Sequence, residues 1–444
     1  MNEADSRHLA SQLEVLGYSH AAVAEDADLV ILNTCVVRQQ AEDKIYGRLG
    51  ALQRAKRERP DMMIGLMGCF VGVKEAPSLR KRFPFVDVFM PPSDPGPLMA
   101  HLGVRTLADQ AKVSEAKERA LRDAIQDEAF NLPSALRGRA VTAHVPIVLG
   151  CSHGCTFCII PYRRGAERSR RPGDILREIG TLVDQGVREV MLLGQIVDRY
   201  GTDLEGGPDL ADLLRAVAEV EGLLRVRFLT SHPNWMTDKL LDTVASIGKI
   251  CPHIEVPVQA GNDEVLRRMR RDYTVDGYRR LVDRIRERIP DVAVNTDIIV
   301  GFPGETKEQF MDTYRLVEEL RFDKVHLAKY SERPKTVAAR TMPDDVPHPE
   351  KERRRMMIDE LQAGLLEEKN AAYQGGLVEV LVEERQKGRW KGRTPDNRLV
   401  FFDHDGDVRG KLVRIAIDWT SPYTLIGHLK SRGHELPHAS LADR

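Results

Sequence analysis

The chain is poor in cysteine, with six in 444 residues, at positions 35, 69, 151, 155, 158 and 251. A disulfide-held scaffold is excluded, because it needs a far denser cysteine framework. An excess of either charge is missing too: 66 Lys+Arg stand against 67 Asp+Glu, a formal net charge of −1. No global field favours a nucleic acid, so such a partner has to be argued from local clusters. Long hydrophobic runs are also lacking. The longest uncharged apolar stretch, residues 62–73, falls well short of the roughly 20 residues a membrane-crossing helix needs. No charged-then-apolar signal sequence opens the chain. These absences predict a cytoplasmic protein that makes no use of a membrane. What is present, 42% hydrophobic and 30% charged residues, suffices for about three packed cores at roughly 150 residues per domain.

Residues 28–34 form a short apolar run, 41–57 show helical periodicity, 62–67 are strand-like again, and 86–89 give a third strand. Strand, helix, strand predicts an α/β unit with a mostly parallel sheet over 1–104. Cys35 and Cys69 directly follow the first two strands, at the carboxyl ends where such sheets bind ligands. The breaker cluster at 91–97 begins the boundary, and 105–136 are charge-rich without a core pattern, which reads as a linker. Over 137–372 the alternation is regular. Strands are expected at 142–149, 189–193, 225–229, 253–258, 293–300 and 324–329, and helices between them at 175–185, 209–220, 238–246, 275–287 and 307–320. Six βα-type repeats predict a partial barrel whose chemistry lies on the loops after the strands. A charged helix over 349–370 leaves it, and alternating runs at 378–382, 398–402 and 411–417 predict a small all-β module within 373–436.

Cys151-Ser-His-Gly-Cys155-Thr-Phe-Cys158 places three thiols on the loop after the first barrel strand. Structural zinc normally takes four protein ligands, so three argue for an iron–sulfur cluster with one iron open to substrate or cofactor. Three unrelated buried thiols, or a redox pair, are the bland alternative. This loop resembles that of the radical S-adenosylmethionine (SAM) enzymes. The resemblance implies a 4Fe-4S cluster on Cys151, Cys155 and Cys158 whose open iron chelates SAM, with Phe157 packing near the adenine.

Further elements narrow it: Cys158-Ile-Ile-Pro-Tyr-Arg-Arg-Gly165, Leu192-Leu-Gly-Gln195, Val256-Pro-Val-Gln-Ala-Gly261 and Thr296-Asp-Ile-Ile-Val-Gly-Phe-Pro-Gly-Glu-Thr306. With the opening Met1-Asn-Glu-Ala-Asp-Ser6, they resemble the methylthiotransferases, and among them the tRNA 2-methylthio-N6-dimethylallyladenosine synthase family. That resemblance implies an α/β fold of three parts: an N-terminal methylthiotransferase domain, a radical-SAM partial (β/α)6 barrel and a small all-β TRAM domain. It further implies methylthiolation of carbon 2 of N6-(dimethylallyl)adenosine next to the anticodon of tRNA. The cofactors would be SAM and two 4Fe-4S clusters, with Cys35 and Cys69 as ligands of the auxiliary one. Its third cysteine would lie two residues before Met1, so an internal Met read as the start is the expectation, and a two-cysteine site the alternative. An electron donor of flavodoxin or ferredoxin type, an unidentified sulfur donor and a monomeric state complete the picture. Cys251 is expected to be a small core residue.

Carbon 2 of adenine is an unactivated C–H position, beyond the nucleophiles and bases a protein carries, so a cofactor must supply radical chemistry. Gly194, Gln195, Ser231, His232, Gln259, Asp297 and Gly301 fall after or within successive strands on the face of the thiol loop and are candidates for SAM or substrate contact; turn formation and core hydrogen bonding are the structural alternatives. Arg163, Arg164 and Arg168, within a run that includes Arg170 and Arg171, suit phosphate contact. So do Arg389, Lys391 and Arg393, near Arg398 and interleaved with Trp390, Phe401 and Phe402, where aromatics would stack bases. A solvated face is the alternative. Gly194-Gln-Ile-Val-Asp198 stands where the family has Gly-Gln-Asn-Val-Asn, and Ser331-Glu-Arg-Pro-Lys335 where Ser-Pro-Arg-Pro-Gly is usual. Methylthiolation of threonylcarbamoyl-adenosine or of a ribosomal-protein aspartate, or a non-catalytic RNA-binding iron–sulfur protein, therefore stay open.

Overall fold

The computed structural model of the chain describes residues 1–36, 39–74, 77–102 and 131–430. Most of the expected linker, 105–130, lies outside the described residues. Helix α1 (Asn2–Val15) leads into a parallel three-stranded sheet in the order β1 (Leu29–Thr34), β2 (Met63–Gly68), β3 (Val88–Met90), with helix α2 (Gln39–Glu58) between the first two strands. Ile64 and Leu66 of β2 pack with Leu49 and Leu52 of α2. Register pairs Thr34 with Gly68, so Cys35 and Cys69 leave adjacent strands side by side. Helix α1 has no apolar stripe. Its buried face carries Asp5, Arg7 and Ser11 beside Ala4 and Leu9, and these polar groups need partners in the next part of the chain.

The six barrel strands are β4 (Thr142–Pro146), β7 (Glu189–Leu193), β8 (Arg225–Leu229), β9 (His253–Glu255), β10 (Ala293–Val300) and β11 (Lys324–Lys329). They form two parallel ladders, β4-β7-β8 and β11-β10-β9. The bridge between Val226 and Ile250 and the hydrogen bond from Ser231 N to Glu255 O join them into one open arc. The first expected strand is divided: after Pro146 the chain turns, and β5 (Val148–Leu149) pairs antiparallel with β6 (Arg168–Ser169), pinching off the thiol loop. The fourth strand ends at Glu255, with Gln259 rejoining only through an isolated bridge to Ile298.

Helix Pro172–Asp184 shows why the alternation is legible, because Ile175, Ile179, Leu182 and Val183 are buried at helical spacing over the sheet. Helices Leu210–Ala218 and Lys307–Leu320 each begin with a full capping box, on Asp209 and Thr306. One large core spans the arc. The long helix His348–Ala371 closes its far side against β10 and β11.

The C-terminal module is a closed five-stranded barrel in the order β12 (Leu377–Gln386), β13 (Arg389–Arg393), β14 (Leu399–Asp403), β16 (Leu425–Leu429), β15 (Leu412–Thr420). Strands β13 and β16 were not among the three sequence-expected runs. Among the described residues no helix is long and apolar enough to cross a membrane.

Candidate active site

Cys151, Cys155 and Cys158 lie on the pinched loop at the carboxyl end of the arc. Three backbone links hold the loop: Cys151 N to Gly165 O at 3.1 Å, Thr156 N to Met269 O at 3.0 Å, and Ala338 N to Thr156 O at 2.9 Å. Gly150 opens it at φ 74°, where a Cβ would stand 2.2 Å from Ala166 O. Cys155 accepts an N–H from buried Arg271 at 3.4 Å. Burial pushes the Cys158 thiol up to about 12 and raises Cys151, and each of these two feels the charge of Cys155.

The rings of His153, His232, Trp235 and Tyr273 pack beside the loop, with the His153–His232 centroids 4.8 Å apart and His232–Trp235 4.5 Å apart. Arg199 lies over Trp235. His232 Nδ1 accepts from Asn234 N at 3.3 Å, which leaves Nε2 as its N–H; that atom, His153 Nε2 and Ser231 Oγ are buried without a hydrogen-bond partner. Burial, then the charges of Arg271, His153 and Arg199, hold His232 down to about 2, so the ring is neutral. The loop carrying it is fixed from behind by Asp198, which accepts from His232 N at 3.0 and 3.1 Å and whose carboxyl burial pushes up to about 7. Glu255 is likewise raised to about 7, by burial and then by Asp297.

Cys35 and Cys69 belong to the same region, because the short helix after the thiol loop, Ile160–Arg164, packs on the N-terminal sheet. Arg164 Nε donates to Cys69 Sγ at 3.2 Å; its other nitrogens reach Asn2 Oδ1 at 2.7 Å, Ser93 Oγ at 3.5 Å and Asp5 at 3.6 Å. Ile159 joins the N-terminal core. The α-amine of Met1 is lowered by burial and lies close enough to feel Arg164 and Cys69. At the same seam Glu178 of the barrel, fully buried, takes Arg7 at 2.7 Å, His8 at 2.8 Å and Arg170 at 2.7 Å. Burial alone would raise this carboxyl, but His8, Arg170 and Arg7 outweigh it and hold it at about 2.

Among the described residues no three His, Cys, Asp or Glu side chains are gathered closely enough to hold a metal ion. The loop thiols are neighbours on a tethered strand-end loop rather than a closed coordination set. Soft thiol donors beside orphaned buried polar atoms nonetheless fit a thiolate-bound cluster with a polar ligand next to it. Cys35 and Cys69 offer two thiols at adjacent strand ends, and among the described residues no third Cys joins them.

Of the other candidates, Ser231, His232 and Gln259 are buried, Gln259 at φ 71°, and Phe157 packs on the barrel core. Gln195 and Asp297 are half-buried on the same edge. Gly194 faces Val148 and Val197, and Gly301 faces Lys351, whose Cγ would lie 2.4 Å from an added Cβ; protein rather than open space fills both positions. Arg271, Asp198, His153 and Trp235 were not among the sequence candidates, although His153 sits inside the thiol motif and Asp198 ends the Gly194-Gln-Ile-Val-Asp198 element.

The basic runs need correction. Arg164 has a 4% exposed side chain occupied by Cys69 and Asp5, and Arg163 donates to Phe70 O at 3.3 Å, so both face inward; Arg168 alone of the three is exposed. Trp390 and Phe402 are interior barrel residues at 4% and 0% exposure, not stacking surfaces, and Arg398 is tied to Asp323 and Asp396. Arg389, Lys391 and Arg393 do point outward, though Lys391 and Arg393 pair with Glu383 and Glu384, and Arg389 with Asp403 at 3.5 Å.

Residues 145–317 match the Radical SAM superfamily, residues 1–91 match "Uncharacterized protein family UPF0004", and residues 371–430 match the TRAM domain. The chain is 48% identical to a tRNA-2-methylthio-N(6)-dimethylallyladenosine synthase of Herpetosiphon aurantiacus, over 97% of this chain and 95% of that protein. The proteins of that name from Roseiflexus sp. and Chloroflexus aurantiacus are each 47% identical, over 97% and 96% of this chain and 87% and 89% of theirs.

Proposed function

Since the chain belongs to the family of tRNA-2-methylthio-N(6)-dimethylallyladenosine synthases, we propose that it replaces the C2 hydrogen of N6-(dimethylallyl)adenosine next to the anticodon of tRNA by a methylthio group. It is a transferase of radical-SAM type that works with an iron–sulfur cluster and SAM. When bound, the cluster with SAM supplies the one-electron chemistry that an unactivated C–H bond requires.

Cys151, Cys155 and Cys158 would hold that cluster. Because burial keeps Cys151 and Cys158 protonated in the metal-free chain, assembly has to displace their protons. Arg271 directs an N–H at Cys155 and orients it. The neutral His232 offers its unpartnered Nε2–H, and Ser231 its hydroxyl, to a polar ligand beside the loop. His153, Trp235 and Tyr273 wall the site and keep water from it. Cys35 and Cys69 would be two ligands of an auxiliary cluster. Electrons would come from a flavodoxin- or ferredoxin-type donor, with the chain acting as a cytoplasmic monomer.

The observation that carries the reading is the contact of Arg164, six residues after Cys158, with Cys69. It ties the helix that follows the three-thiol loop to the strand-end thiol Cys69, which supports reading the two thiol sets as parts of one site, as a reaction joining hydrogen removal to sulfur delivery demands. The test is anaerobic reconstitution with iron and sulfide, then reductant, SAM and tRNA bearing N6-(dimethylallyl)adenosine. The 2-methylthio nucleoside should appear by mass spectrometry together with 5′-deoxyadenosine. Absence of both from fully loaded protein overturns the assignment.

A further inference from the structure

We propose that Arg271 is the counter-cation of the iron–sulfur cluster on the three-thiol loop, and that through its N–H to Cys155 it makes that cluster easier to reduce. The inference rests on the radical-SAM reading above and deepens it by naming the positioning residue that sets how readily the site accepts an electron.

The observation behind it is one of charge. Among the described residues six arginines are buried: Arg7, Arg225, Arg227, Arg271, Arg333 and Arg354. Five have a carboxylate partner: Arg7 has Glu178, Arg225 has Glu379, Arg227 has Glu189, Arg333 has Glu42 and Arg354 has Glu305. Arg271, 8% exposed, pairs with no acid among the described residues. Its Nε donates to Tyr273 Oη at 2.9 Å, Nη2 to Pro257 O at 3.2 Å and Nη1 to Cys155 Sγ at 3.4 Å. A buried cation without a counter-charge is costly. The fork is aimed at a thiol, so the anion that completes the pair is the one the thiols make. A cluster held by three thiolates is negatively charged, and becomes more so on taking up an electron.

The fold fixes this cation against the loop. The short helix Asp263–Arg268 ends with Arg270 at φ 55°, and the N–H groups of Arg270 and Arg271 return to Arg267 O at 3.0 Å and Leu266 O at 2.9 Å. This left-handed closure leaves Arg270 exposed and Arg271 buried. The same turn grips the thiol loop, because Thr156 N donates to Met269 O and Thr156 Oγ1 to Arg268 O. A planar guanidinium meets three acceptors in set directions, which a Lys ammonium on a flexible stem does not.

Burial leaves the field of Arg271 at the sulfur weakly screened. A charged N–H on a cluster sulfur favours the more negative, reduced state. One electron passes from the external donor to the cluster, and Arg271 stays charged and gives up no proton. A role in the fold alone would account for the bonds to Pro257 and Tyr273, but a neutral donor could make both. It leaves the missing acid unexplained.

The experiment uses the full chain carrying Cys35→Ala and Cys69→Ala, reconstituted anaerobically with iron and sulfide so that only the three-thiol loop loads. A redox titration is followed by the electron paramagnetic resonance of the reduced cluster. Arg271→Gln should lower the ratio of reduced to oxidised cluster at a fixed potential about tenfold, a midpoint about 59 mV more negative for one electron. Arg271→Lys, which keeps the charge without the fork, should lie between the two. With all cysteines present, Arg271→Gln should form 5′-deoxyadenosine slowly with a weak one-electron reductant and near the wild-type rate with titanium(III) citrate, at an unchanged KM for SAM. A parental midpoint in the Gln chain, or a raised KM for SAM with both reductants, gives the guanidinium to the ligand or the fold and overturns the inference while the radical-SAM reading stands. Failure of the Gln chain to load iron makes Arg271 a brace of the loop and overturns it as well. If the parent chain loads no iron at the three thiols, both fall.

Discussion

Arg164 Nε donates to Cys69 Sγ across 3.2 Å, from a side chain that is 4% exposed. One guanidinium thus reaches from the thiol loop's helix into the N-terminal sheet, where Asn2, Asp5 and Ser93 take its other nitrogens. Its planar fork is what permits several directed contacts at once, so Lys is no substitute. Arg164→Gln leaves Asp5 buried without its cation and should cost roughly 3–5 kcal/mol in a urea titration. In the metal-free protein the guanidinium opposes the burial that raises the Cys69 thiol, so its loss should slow alkylation of Cys69 relative to Cys251. An unchanged ratio would deny Arg164 its positioning role.

The same residue shows what could and could not be read from the sequence. Arginine runs look alike whether they face phosphate or a buried acid; the fate of Arg164 was decided by Asp5 and Cys69, which are far away in the chain. Helix α1 escaped notice for a related reason, since its buried face is Asp5, Arg7 and Ser11 and shows no apolar period. The barrel was legible because strands such as β7 are short, mostly apolar runs buried on both faces and the helices between them carry clear stripes. Strand β13, Arg389-Trp-Lys-Gly-Arg393, presents as a charge cluster until Trp390 is seen to point inward. The placing of Cys151, Cys155 and Cys158 on one strand-end loop was legible because their spacing is local.

Glu178 is the acid on which α1 and the barrel meet. Replacing it by Gln leaves Arg7 and Arg170 buried against a neutral group and should cost roughly 3–5 kcal/mol near neutral pH. Its folded carboxyl is at about 2 against an ordinary 4.5. The carboxylate's contribution is therefore complete above about 4.5 and disappears as pH falls towards 2. The gap between wild type and Glu178→Gln in urea midpoint should shrink over that window. A gap independent of pH would mean that the carboxylate is not the source of the stability.

His253 works in the same sense, over a higher pH window, at the seam with the C-terminal module. Its Nε2 lies 2.8 Å from Asn295 Nδ2 and 3.4 Å from Asn397 Nδ2, and burial, then Arg227, holds its pKa at about 3 against 6.5. Asp396 opposes that shift, while His326 and Arg393 add to it. The unfolded chain takes up this proton near 6.5 and the folded chain only near 3, so acidification between those values drains stability. Across a pH series, His253→Gln should lower Tm at neutral pH yet show a shallower loss towards pH 3 than wild type. Parallel curves would remove His253 from the acid response.

Two glycines of the thiol loop separate fold from spacing. Gly150 holds φ 74°, and a Cβ there would come within 2.2 Å of Ala166 O and 2.7 Å of Gly165 O, both backbone atoms that cannot swing aside. Gly154, between Cys151 and Cys155, has no heavy atom within 4 Å of the place a Cβ would take. Both substitutions to Ala leave every thiol in the sequence. Gly150→Ala has to break the Cys151 N to Gly165 O link and splay the loop, so reconstituted iron per chain and the cluster's visible absorbance should fall sharply. Gly154→Ala should load iron as the wild type does, at a stability cost within about 1 kcal/mol. Equal loading by both variants would mean that the thiols assemble a cluster without the backbone geometry of the β5–β6 pinch, and that the loop's closed form is not what brings them together.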